Sequence, residues 1–126
     1  MLLQSNQEFL NHRYGMVVGD LNSNSQWDKQ HRGCCHSDVV HELSKLGLES
    51  AYHRYFGEAQ GEETTPTFFL QRNRAKSFHI DYAFLGKHWS AKRCEVGSVD
   101  SWISLSDHMP LSLHLSTEDA EDFGVA

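Results

Sequence analysis

Hydrophobic and polar residues alternate along this chain on two different periods. Gly15-Met16-Val17-Val18-Gly19 is an unbroken apolar run bounded by glycines, the signature of a buried strand. Val39/Val40, Leu43 and Leu46 recur at helical spacing and predict a helix over residues 38 to 46, with Ser37 as its N-cap and Gly47 as its stop. Thr67-Phe68-Phe69-Leu70 and residues 78 to 85 read as two strands of a hairpin, joined by the basic turn Arg72-Asn73-Arg74-Ala75-Lys76. Residues 89 to 96 alternate weakly and predict a further strand. Leu111, Leu113 and Leu115 alternate with Ser112 and His114, the pattern of a half-buried final strand that Pro110 starts. Phe9 and Leu10 mark the end of a helix within residues 4 to 13. The segments left over, residues 21 to 36 and 49 to 66, are polar and glycine-containing and read as loops.

Composition narrows the class. The chain has 126 residues, 39% hydrophobic and 22% charged, which fits one packed domain. That domain is expected over residues 1–115, followed by an acidic tail, 116–126, expected to be disordered. Mean hydropathy is −0.55, and no apolar run approaches the ~20 residues that cross a bilayer. The first residues lack the basic start and apolar segment of a signal peptide, so a cytoplasmic location is expected. Three cysteines, with Cys34 and Cys35 adjacent, read as reduced thiols rather than a disulfide framework. Cys34-Cys35-His36, with His31 nearby, has the spacing of no usual closed zinc site. The net charge of −6 argues against a module that holds nucleic acid by charge alone. It does not argue against a nuclease, because a metal site needs carboxylates and the bound cation reverses the local potential.

Three acidic motifs then stand out, each ending or interrupting a strand-like run: Gly19-Asp20-Leu21-Asn22, His79-Ile80-Asp81-Tyr82 and Ser106-Asp107-His108. They supply carboxylates, an Asn and a His from strand ends far apart in sequence, the equipment of a divalent-metal phosphodiester hydrolase. Strand alternation would deliver Asp20 and Asn22 to one side, Asp20 to orient or deprotonate water and Asn22 to donate to a phosphate oxygen. Alternation also puts His79, Asp81 and Ala83 on one face and Ile80, Tyr82 and Phe84 on the other. Strands disfavour Asp, so Asp81 requires a partner. Arg72, Arg74 and Lys76 form a basic cluster suited either to phosphate contact or to a solvated turn.

The order of these motifs, with Val17-Val18-Gly19-Asp20-Leu21-Asn22 and Ser106-Asp107-His108-Met109-Pro110 the most specific, resembles the C-terminal half of the endonuclease/exonuclease/phosphatase (DNase I-like) superfamily, over residues 5 to 115. The resemblance implies an α/β (α+β) fold, half of a four-layer sandwich, with one mostly antiparallel β-sheet carrying one or two helices on one face. It implies that Asp81 orients His108, that His108 binds the scissile phosphate, and that Asp107 is a metal ligand or assists the water, with Asp20 also near the metal. Thr67 and His79 are supporting residues. The cofactor implied is Mg²⁺ or Mn²⁺, and the substrate a phosphate ester, with nucleic acid among the candidates. The family's first half supplies an early Asn and a metal-binding Glu for which this chain has no counterpart. Half a sandwich would leave an apolar sheet face uncovered. A homo-oligomer, or a complementing chain carrying the other half, is therefore expected. A different class, a truncated non-catalytic remnant that binds a partner, is the alternative.

Overall fold

A computed structural model of the chain describes residues 6–30 and 33–117. In order, the elements are α1 (Gln7–Leu10), β1 (Met16–Asp20), a 3₁₀ turn (Ser25–Gln30), α2 (His36–Lys45), β2 (Leu48–Ser50), α3 (Ala51–Phe56), β3 (Phe68–Phe69), a second 3₁₀ turn (Leu70–Arg72), β4 (Ser77–Phe78), β5 (Asp81–Gly86), β6 (Trp89–Val96), α4 (Val99–Trp102) and β7 (Leu111–Thr117).

The organising element is β5. Its run Tyr82-Ala83-Phe84-Leu85-Gly86 is buried throughout, so both of its faces must be packed. Tyr82 and Phe84 on one face meet Leu10, Leu43 and Leu48, with Val39, Val40 and Leu46 of α2 closing over them. Ala83 and Leu85 on the other meet Ala51 and the apolar side of the β6–β7 hairpin, Trp89 with Leu111, Leu113 and Leu115. Those three leucines alternate with exposed Ser112 and His114, as the period-2 pattern requires.

Antiparallel partners flank β5: β1, in register from Met16↔Leu85 to Asp20↔Asp81, and β2, from Leu48↔Gly86 to Ser50↔Phe84. The chain is thus mixed α/β with antiparallel pairing. The single sheet expected from the sequence is instead divided into three: β1-β5-β2, the pair β3-β4 and the pair β6-β7. The physical reason is that β1 and β2 occupy both edges of β5 between Phe84 and Gly86. The β6–β7 hairpin covers a face of β5 because no edge is open there. The hairpin expected over residues 67–70 and 78–85 closes only at Phe68↔Phe78 and Phe69↔Ser77, before the chain turns into β5.

Local expectations at α2 shift by two residues. Cys35, not Ser37, precedes the helix, and the Asp38 carboxylate accepts the Cys35 N–H at 3.0 Å. Ser37 instead donates its hydroxyl to Asp28. The helix stops at Lys45, before Gly47, as expected. Residues 49 to 66 are not the continuous loop the sequence predicts. They begin with Glu49 and Ser50 of β2 and all of α3, whose Ala51, Tyr52 and His53 are buried. Gly57, at φ 66°, ends α3 in the left-handed conformation that side chains resist. The final strand continues through Thr117, two residues beyond the expected domain end. The rest of the tail lies outside the described residues. Cys34, Cys35 and Cys94 are in no disulfide among the described residues. Among the described residues no helix is long and apolar enough to cross a membrane.

The segment after α3 is pinned by polar bonds that run from partly buried to exposed. Glu58 accepts from the Tyr52 hydroxyl at 2.6 Å and from Thr64 N–H at 3.0 Å. Glu63, whose side chain is 4% exposed, bonds His53 Nε2 at 2.6 Å and accepts Gly61 N–H and the Asn24 amide at 2.9 Å each. Burial alone would raise its pKa; the hydrogen bonds from His53, Asn24 and Gly61 outweigh burial and hold it at about 2. A folded-state pKa below the ordinary value of 4.5 contributes stability above that value and loses it as pH falls toward about 2. A plot of Tm against pH should therefore drop across this window in the wild type, and Glu63→Gln should drop less steeply there. Parallel curves for the two proteins would show that Glu63 carries no linked stability.

Candidate functional site

The first motif sits where β1 stops. Asp20 is its last residue and pairs in register with Asp81, the first residue of β5. Two carboxylates thus enter one region from neighbouring strand ends. The third motif reaches them through β3. Phe68 bridges His108, Phe69 N–H donates to the Asp107 carbonyl at 2.8 Å, and Met109 N–H to the Thr67 carbonyl at 2.7 Å. The His108 ring packs on Phe68 with centroids 4.8 Å apart.

The result is a tight group. His108 Nδ1 lies 2.9 and 3.1 Å from the two Asp81 oxygens, and His108 Nε2 lies 3.8 Å from Asp20 Oδ2. The Asp81 carboxylate accepts the Nδ1 proton, which fixes the tautomer and leaves Nε2 directed toward Asp20. Ligand atoms of Asp20, Asp81 and His108 all lie within 4.8 Å of one another, the one such group of His, Cys, Asp or Glu found among the described residues. The side chains of His108 and Asp20 are 34% and 44% exposed, so the group is open to a solute, while Asp81 behind them is 18% exposed. Two carboxylates and one imidazole are side chains that can ligate a metal ion.

Thr67 is the residue that places both halves of this group. Fully buried, it directs its hydroxyl oxygen at Ile80 N–H (3.0 Å) and Asp81 N–H (3.2 Å). Its own N–H donates to the Phe78 carbonyl while its carbonyl takes Met109 N–H. One residue therefore fixes the backbone at Asp81 and the backbone that follows His108.

The remaining sequence candidates divide. Asp107 lies outside the Asp20–Asp81–His108 group, and its carbonyl is held by Phe69. Asn22 is not presented by strand alternation, because β1 ends at Asp20. Asn22 has φ 49°, and its N–H donates to Asp20 Oδ1 at 2.7 Å, orienting that carboxylate through a local turn. His79 does not share the face of Asp81. It is buried with Tyr52, His53 and Tyr82, and its Nδ1–H donates to the Thr65 carbonyl at 2.9 Å. Burial lowers its pKa and favours the neutral ring. His36 is likewise committed, to Ser23 and Gln60, so the Cys-Cys-His run assembles no metal group among the described residues; His31 lies outside them. Of the basic cluster, Arg74 pairs with Asp100 at 2.6 Å and Arg72 reaches the Ser104 carbonyl, tying the turn to the α4 region.

Two contributors escape a reading of the sequence. Ser106 accepts His108 N–H at 3.0 Å within its own motif, a signal carried by the Ser-x-His spacing. Asn24 is buried and donates to Glu63 and the His79 carbonyl, beside the Tyr82 hydroxyl, with no sequence mark beyond an Asn in a polar run. Comparisons with family models, curated proteins and solved structures give no match for this chain.

Thr67→Val keeps the shape of the side chain and removes the acceptor. It should cost about 1–3 kcal/mol by leaving buried N–H groups without a partner, whereas Thr67→Ser, which keeps the oxygen, should cost less. Urea denaturation of the three proteins checks this. Equal losses for Val and Ser would assign the effect to packing instead.

Proposed function

We propose that the chain is a divalent-metal-dependent phosphoester hydrolase acting on phosphodiesters, or the C-terminal half of one. The observation that carries the reading is the convergence of Asp20 from the end of β1, Asp81 from the start of β5 and His108 from the segment bridged to Phe68, with His108 oriented by Asp81 and facing Asp20.

Each residue has a distinct task in this proposal. Asp81 holds the Nδ1 proton of His108, so that Nε2 is the atom presented to the reacting phosphate. A protonated Nε2 donates to a phosphate oxygen as negative charge grows on it. Asp20 accepts a proton from the attacking water or, with Asp81, would hold the cation while His108 serves the phosphate. The Asn22 amide donates to a phosphate oxygen, and Asp107 has the metal or water contact that the resemblance implies. A bound Mg²⁺ or Mn²⁺ supplies charge neutralisation and a more acidic bound water. Thr67 acts through the backbone by fixing Asp81 and His108.

The purified chain, given plasmid DNA or bis(p-nitrophenyl) phosphate with Mn²⁺ or Mg²⁺, should hydrolyse the ester, and EDTA should stop it. His108→Ala should lower the rate by about 10²–10⁴-fold with an unchanged circular dichroism spectrum. Equal rates for the two proteins would remove His108 from the mechanism.

A second reading, a non-catalytic chain that binds a partner or itself, rests on a different observation. Val18 and Met16 of β1 are 64% and 39% exposed immediately beside Asp20, on an edge strand. Apolar side chains on an open edge favour pairing with another chain. Sedimentation should show a species larger than one chain, and Val18→Lys should shift it toward the monomer; a monomer at all concentrations would dismiss this reading.

A further inference from the structure

The strand ladder between β1 and β5 ends at the two carboxylates. Asp20↔Asp81 is its last register pair, and Leu21 N–H to the Ile80 carbonyl at 3.0 Å is the final rung. Beyond it the two chain segments separate, one entering the 3₁₀ turn and the other leaving β4. A single buried hydroxyl spans that gap. Tyr82 Oη lies 2.7 Å from the Ser23 carbonyl and 2.9 Å from the His79 carbonyl, sharing its proton between them. Ser23 follows Asp20 by three residues and His79 precedes Asp81 by two.

Asn24 doubles the tie. Its amide nitrogen donates its two hydrogens to the His79 carbonyl and to Glu63 Oε1, each at 2.9 Å, and lies 3.3 Å from the Tyr82 hydroxyl, while its oxygen accepts Gln26 N–H at 2.9 Å. Tyr82 and Asn24 are 2% and 3% exposed. Bonds in so dry a setting are strong and resist exchange with water. The peptide of His79 is thus held from one side by Tyr82 and Asn24, while Thr67 holds the next two N–H groups.

We infer that Tyr82 and Asn24 are positioning residues for the candidate site, setting the separation of Asp20 and Asp81 and, through Asp81, the orientation of the His108 ring. The inference rests on the metal-hydrolase reading for its function, and on the geometry alone for its effect on His108. Burial also raises the Tyr82 pKa, so the phenol remains a donor throughout the accessible pH range.

Tyr82→Phe tests it, because the ring that packs on Phe84 and His36 is retained and only the oxygen is lost. Tyr52→Phe is the control. It removes another buried phenol, bonded to Glu58, that ties neither carboxylate segment. Two measurements are made on wild type and both variants: Mn²⁺ affinity by electron paramagnetic resonance, and the imidazole signals of His108 by long-range ¹H–¹⁵N correlation. Tyr82→Phe should weaken Mn²⁺ binding by about tenfold and shift or broaden the His108 Nδ1 resonance. Tyr52→Phe should lower Tm and leave both readouts where they were. Unchanged His108 signals in Tyr82→Phe, or equal changes in the two variants, would overturn the inference. A wild type that binds no Mn²⁺ would sink the metal reading instead, and the His108 signals would then decide the positioning role alone.

Discussion

The hydroxyl oxygen of Thr67 is the contact on which this architecture depends. It accepts two consecutive N–H groups, those of Ile80 and Asp81, at the point where the chain leaves one hairpin and enters the central strand. Consecutive N–H groups in a strand point in opposite directions, so no ladder partner could take both. The hydroxyl permits the break in direction, and with it the division into separate sheets. Because the Thr67 carbonyl also holds Met109 N–H, the same residue brings the last motif of the chain against the second. A methyl group in place of that oxygen would leave the bend without a donor–acceptor partner at full burial.

Buried and exposed carboxylates have opposite assignments here. Glu63 is enclosed and bonded from three sides, by His53, Asn24 and Gly61. Asp20 is open, and its one described hydrogen-bond donor is the Asn22 N–H. Asp81 lies between the two conditions: half-covered, with a single imidazole as its side-chain partner. A chain of net charge −6 therefore uses Glu58 and Glu63 to fix a loop and keeps other carboxylates where a cation can reach them.

How much could be read in advance varies with the range of the interaction. The apolar run of β1, the stripe of α2 and the alternation of β7 are local patterns, and each element stands within a few residues of its expected place, although β1 is an exposed edge strand and not the buried one its apolar run predicts. Asp20, Asp81 and His108 were also legible, because each is marked by its own short motif at a strand end. Helix α3 was not: its six residues, Ala-Tyr-His-Arg-Tyr-Phe, are held by burial of Tyr52 and His53 rather than by propensity, and only Gly57 marks its end. Strand alternation does not carry through residues 79 and 80, where the Ile80 and Asp81 N–H groups both turn to Thr67, so His79 leaves the face of Asp81. Alternation fails likewise past Asp20, where φ turns positive at Asn22. The division into three sheets follows from which edges of β5 are taken, a non-local fact that no window of sequence contains.

Gly19 precedes Asp20 in β1 with φ 139°, yet a Cβ placed there would have no heavy atom within 4 Å. Space does not explain this glycine; handedness does, since that φ is closed to L side chains. Solvent-exposed positions ordinarily absorb substitution, and a map of tolerance drawn from accessibility would mark residue 19 as permissive. It should instead behave like a core position. Any other residue would have to rotate the backbone, and the first atoms displaced would be those of the neighbouring carboxylate. In a library of variants the depletion at this position would therefore register selection on the chain's path rather than on its packing.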